Sequence, residues 1–156
     1  MKNIAGKAHT FLVLALFILI VLGGCKKAST NNGGSTNPVE IYFADNVLNK
    51  NFIVDFASDN GTDITSQYLG YTFVLTKTTS YYDGQMTGTK GGTIYSGTWS
   101  SNSDYSKLVI TLNTPSIPTE FQFINRQWRF TRKAFPVMEL APWGASPNYV
   151  LHMRRL

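Results

Sequence analysis

The sequence predicts an all-β domain, a single antiparallel up-and-down barrel of about eight strands with one short helical turn. Three observations carry this expectation. Apolar and polar residues alternate with period two between residues 51 and 155. Clusters of turn-forming residues break the alternation at short intervals, and only one stretch reads as helical. Alternation with one wet face marks half-buried antiparallel strands, and closing consecutive strands on one another removes exposed edges.

In chain order, the first strand is placed at 51–57 and is followed by the turn pair Asn60-Gly61. Asp63 through Tyr68 then reads as a single helical turn, with Asp63 as its cap. The run YTFVLTK (strand 71–77) puts Tyr71, Phe73 and Leu75 on one face. A strand at 81–89 carries the turn signal Asp83-Gly84, and Gly91-Gly92 separates it from the strand at 93–100. There TIYSGTWS groups Tyr95, Gly97 and Trp99, with Gly97 expected to leave free space beside the indole. KLVITLN (107–113) groups Leu108, Ile110 and Leu112 after the turn Asn102-Ser103-Asp104. Beyond the loop from Asn113 to Pro118, strands follow at 126–133, with Trp128 and Phe130 together, and at 136–141. The loop from Pro142 to Pro147 leads to a last strand at 149–155 that groups Leu151 and Met153. Arg129, Glu139 and Arg154 are expected together on the outer face.

Residues 1–24 have the layout of an export signal: Lys2 and Lys7, then an apolar stretch from Phe11 to Leu22. Its 12 residues fall short of the roughly 20 that a spanning helix needs. Leu22-Gly23-Gly24-Cys25 resembles the lipobox of bacterial lipoproteins, and Cys25 is the only cysteine in the chain. The resemblance implies cleavage before Cys25 and acylation of its sulfur and new amine, which makes the membrane a partner through lipid chains. Residues 25–38 then form a polar, glycine-rich tether spanning roughly 20 Å, and the barrel domain runs from 39 to 156. The stretch CKKASTNN carries no acidic residue. By resemblance to lipoprotein sorting signals, this points to the outer membrane of a bacterial envelope, with the domain facing the periplasm.

The succession FIVDFASDNGTDIT, YLGYTFVLTK, YSGTW, KLVITL, INRQWRF, VMELAP and YVLHMRR resembles small lipocalin-like lipoproteins of outer-membrane bacteria. The resemblance implies a lipocalin-like barrel and non-catalytic binding of a small apolar or amphipathic ligand. Tyr71, Phe73, Tyr95, Trp99, Trp128 and Phe130 are the candidates either to line such a pocket or to fill the core. The alternative is a plugged barrel that docks an envelope protein, as an accessory subunit or inhibitor does. Volume separates the two, because a small-molecule site needs at least about 300 Å³.

No enzyme is expected. With the leader removed, His152 is the sole imidazole, and alternation sets it opposite Leu151 and Met153, on the wet face. There is no nucleophile elbow, phosphate loop or dinucleotide fingerprint, so no cofactor is expected. Zinc lacks its Cys and His ligands, and Asp59-Asn60-Gly61-Thr62-Asp63 departs from a calcium loop by an early glycine, so no metal is expected. Loss of Lys2 and Lys7 leaves 12 basic residues against 9 acidic, a net charge of about +3. That is too mild a balance, on an exported chain, to point to nucleic acid.

Overall fold

The computed structural model describes residues 35–132, 135–144 and 148–156. Cys25, the leader and most of the tether lie outside the described residues. The strands are β1 (Asn51–Asp59), β2 (Thr62–Asp63), β3 (Thr72–Leu75), β4 (Asp83–Lys90), β5 (Thr93–Ser101), β6 (Lys107–Thr114), β7 (Gln127–Arg132), β8 (Val137–Pro142) and β9 (Tyr149–Arg155). All eight strands expected from the alternation are present, with ends displaced by no more than about two residues. Each pairs antiparallel with the next, and β9 pairs with β1 to close an eight-stranded barrel. The architecture is all-β and consistent with a lipocalin-like fold.

The extra strand β2 folds back on the end of β1, where Ser58 faces Asp63 and Asp59 faces Thr62. Asn60 and Gly61 make that reversal with φ of +50° and +87°, as a two-residue hairpin turn requires. Asp83 and Gly84, a turn signal in the sequence, instead begin β4. The reason is packing: a Cβ on Gly84 would stand 1.8 Å from the Thr76 carbonyl oxygen, so only glycine lets the two backbones come this close.

Along β4 and β5, small and large inward residues alternate across the ladder: Gly84 faces Trp99, Met86 faces Gly97 and Gly88 faces Tyr95. Gly97 leaves no free space beside Trp99, contrary to expectation. A bulge between Ser96 and Gly97 brings β6 inward, and a Cβ on Gly97 would lie 1.8 Å from the Thr111 oxygen. Gly88 makes room for Phe73 and Phe121.

Two helices accompany the expected turn. Asp63 Oδ1 accepts from the Thr65 amide at 2.8 Å, and a 3-10 turn runs over Thr65–Tyr68. The first α-helix, α1 (Pro38–Asn46), occupies residues assigned from sequence to the tether and the start of the barrel. Its start is well specified: Asn37 Oδ1 accepts from the Val39 amide at 3.0 Å and Pro38 sits in the first turn. It is anchored by Phe43, Val47 and Leu48, all buried, and Asn49 donates its amide to the Leu75 carbonyl. The second, α2 (Phe121–Ile124), is a single turn in which Phe121, Phe123 and Ile124 are buried.

These elements stopper the barrel. α1 covers the end where β1 begins and β9 finishes; the 3-10 turn and α2 cover the other. The side chain of Asn125 substitutes for a strand: Oδ1 accepts from Leu112 N at 2.7 Å and Nδ2 donates to Leu112 O at 2.8 Å. The upper half of β6, which β7 does not reach, is thereby satisfied, and α2 is fixed against the barrel mouth.

Candidate functional site

The six aromatic candidates occupy three clusters rather than one pocket. Tyr71 and Phe73 stack at 5.7 Å between ring centroids, and both, with Tyr95, pack on Phe121. Trp128 packs on Phe123 and donates its indole N–H to the Ile124 carbonyl at 2.9 Å. Trp99 packs on Phe43 and donates to the Thr76 carbonyl at 2.8 Å. Tyr71, Phe73, Trp99 and Trp128 are buried, whereas Tyr95 and Phe130 are half-buried. Beside Phe130 lies an apolar void of about 30 Å³ under α1, lined also by Val39, Tyr42, Phe43, Tyr105 and Phe135. A space that small holds about one or two water molecules rather than a drug-sized ligand.

A larger cleft, about 360 Å³, opens at the opposite end of the barrel. Asp59 reaches it from the end of β1, Ile64 and Gln67 from the 3-10 turn and its approach, Thr119, Glu120, Gln122 and Phe123 from α2 and its approach, and Arg126 from just before β7. Two tyrosines tie these elements together. The Tyr68 hydroxyl donates to the Glu120 carbonyl at 2.7 Å, and the Tyr71 hydroxyl donates to Glu120 Oε1 at 2.8 Å. Burial raises the ionisation of both phenols well above the usual tyrosine range, and the charge of Glu120 raises it further. Both therefore remain neutral donors at physiological pH.

Arg126 is held on three sides. Its Nε donates to the Phe123 carbonyl, its Nη2 donates to the Gln122 carbonyl at 3.3 Å, and its guanidinium lies 4.1 Å from the Tyr149 ring centroid and 4.9 Å from that of Phe123. Stacking and bidentate capture by carbonyls fix a side chain that is otherwise among the most mobile.

On the outer wall, Glu139 lies opposite His152 and pairs with Arg132 at 3.2 Å, across a bulge between Phe130 and Arg132. Arg129, Glu139 and Arg154 share the outer face, as expected: Arg129 faces Ala141, two residues from Glu139, and Glu139 faces His152, two residues from Arg154, but Arg154 makes its ion pair with Asp55 at 2.8 Å. The bulge sets Arg132 directly opposite Glu139, where a regular ladder would place Thr131. His152 lies against Phe56, with 5.4 Å between ring centroids, on the barrel exterior.

Comparison of the chain with protein-family models, curated proteins and solved structures yields no match. The cleft residues Gln67, Glu120, Gln122 and Arg126 were not legible as a site because they come from loops and single turns distant in sequence. The only local signal was composition: Glu120, Gln122 and Arg126 interleaved with Phe121 and Phe123.

Proposed function

We propose that the chain is a membrane-anchored envelope module whose barrel is a packed scaffold, non-catalytic, and that it acts through its outer surface and end loops as an accessory or inhibitory docking protein. The observation that carries this reading is the filled lumen. Phe52, Phe73, Phe121, Trp99 and Trp128 are fully buried in the core, Gly84 faces Trp99 and Gly88 faces Tyr95 across the ladder, and the apolar space under α1 is about 30 Å³. Carriage of an apolar ligand inside the barrel would need about ten times that volume. Anchoring rests on the lipobox resemblance at Cys25, and outer-membrane placement on the absence of acidic residues in CKKASTNN.

Two measurements test the proposal. Native mass spectrometry of the protein purified from its own host is expected to show the domain free of apolar cargo, while cross-linking in intact cells captures a partner protein. Cys25→Ala is expected to leave a species that no longer partitions into the detergent phase. A stoichiometric apolar ligand would reverse the choice between lumen and surface, and unchanged partitioning of the variant would remove the anchor.

A further inference from the structure

We infer that the cleft between the 3-10 turn, α2 and Arg126 binds a small zwitterion, a compound carrying both an ammonium and a carboxylate, such as a short peptide. Its volume of about 360 Å³ suits a ligand of that size. Opposite charges line it without neutralising one another. Asp59, Glu120 and Arg126 all face the cleft, yet the ion pairs among the described residues are Arg132–Glu139 and Arg154–Asp55.

Each charge is held by other partners. Glu120 Oε1 accepts from Tyr71, Asp59 Oδ1 accepts from the Asn60 side chain at 2.9 Å, and Arg126 is committed to two carbonyls and an aromatic face. Of five guanidinium donors, those on Nη1 stay uncommitted among the described residues, as does Glu120 Oε2. Charges fixed in advance lose little freedom when a ligand arrives.

The charge pattern selects the ligand. A fixed guanidinium matches a carboxylate, and two carboxylates match an ammonium. The same two carboxylates repel a simple anion, and Arg126 repels a simple cation, so a compound carrying both charges is favoured over either alone. The side chains of Gln67, Thr119 and Gln122 form no hydrogen bond among the described residues and offer neutral donors and acceptors, while Ile64 and Phe123 supply an apolar wall for the carbon skeleton. The inference is independent of the anchor and of the docking reading.

The test is an NMR titration of the full chain in detergent micelles with alanyl-alanine. The Trp128 indole, packed on Phe123, reports the cleft, and the Trp99 indole at the far end reports the fold. The expected result is a saturable shift of Trp128 with Trp99 unmoved and a Kd below about 1 mM. Arg126→Gln and Glu120→Gln are each expected to weaken binding about tenfold or more, and acetate or ethylammonium alone to bind at least about tenfold more weakly. No saturation at about 10 mM dipeptide overturns the inference. So does acetate binding as tightly as the dipeptide, or glucose shifting Trp128 where the dipeptide does not. Should a charge variant displace the Trp99 signal, Gln67→Ala on the exposed turn decides, and an affinity equal to that of the unaltered chain again overturns the proposal.

Discussion

Removing the ring of Phe43 tests whether α1 is part of the fold or a detachable appendage. Phe43 is 6% exposed, its ring lies 4.2 Å from that of Tyr105 at an angle of 22°, and it stands 5.5 Å from Trp99. Truncation of a core phenylalanine to alanine costs about 3–5 kcal/mol through lost transfer energy and the cavity left behind. The site borders a void of about 30 Å³ at the barrel end, where water and neighbouring side chains fill part of the loss, so the low end applies. Phe43→Ala is therefore expected to cost about 3 kcal/mol, of which stacking on Tyr105 supplies about 1 kcal/mol. The melting temperature falls by about 12 °C for a domain of this size. Urea unfolding followed by tryptophan fluorescence checks it: the midpoint moves while the slope is unchanged. Ile41→Ala on the exposed face of the same helix stays within about 0.5 kcal/mol. A loss below about 1 kcal/mol for Phe43→Ala, or a reduced slope, would show that α1 unfolds separately and that the barrel does not need its stopper.

Gly97→Ala places a methyl group 1.8 Å from the Thr111 carbonyl oxygen and is expected to cost about 3 kcal/mol or prevent folding; equal melting temperatures for variant and parent would contradict the close strand approach. Glu139→Gln removes an ion pair whose side chains are 28% and 65% exposed, and a loss under about 1 kcal/mol by urea titration is expected, whereas 3 kcal/mol would reveal a buried role. Tyr68, Tyr71 and Tyr105 have their ionisation raised, mainly by burial. The folded state thus holds their protons where the unfolded chain releases them. That stability is complete below about pH 10 and is lost progressively as pH rises above it. Ultraviolet titration is expected to show these phenols ionising together with unfolding, and Tyr71→Phe to lessen the pH dependence; three freely titrating phenols near pH 10 would refute the burial argument.

The sequence by itself determined which residues form strands and which face of each is buried. Period-two alternation depends only on the geometry of an extended chain, so Tyr71, Phe73, Leu75, Leu108, Ile110, Leu112, Leu151 and Met153 all point inward as the pattern requires. The Asn60-Gly61 turn was legible for the same reason, as was a helical turn after Asp63: their chemistry is local. Asp63 itself ends β2, and the turn begins at Thr65, whose amide donates to the Asp63 side chain, with Ile64 and not Asp63 at the cap position. α1 was equally local in its Asn37-Pro38 start and Glu40, but its nine residues bury few apolar side chains of their own, so no periodicity announced it. Only the tertiary structure decided the rest. Two bulges set the partners of Glu139 and the space at Gly97, because register depends on the neighbouring strand and not on the strand's own pattern. Whether six aromatics line a pocket or fill a core depended on Phe43, Phe121 and Phe123 entering from the ends. The cleft joins Asp59, Gln67, Glu120 and Arg126 across more than half the barrel's sequence, through hydroxyl bonds from Tyr68 and Tyr71 that exist only once the sheet has closed.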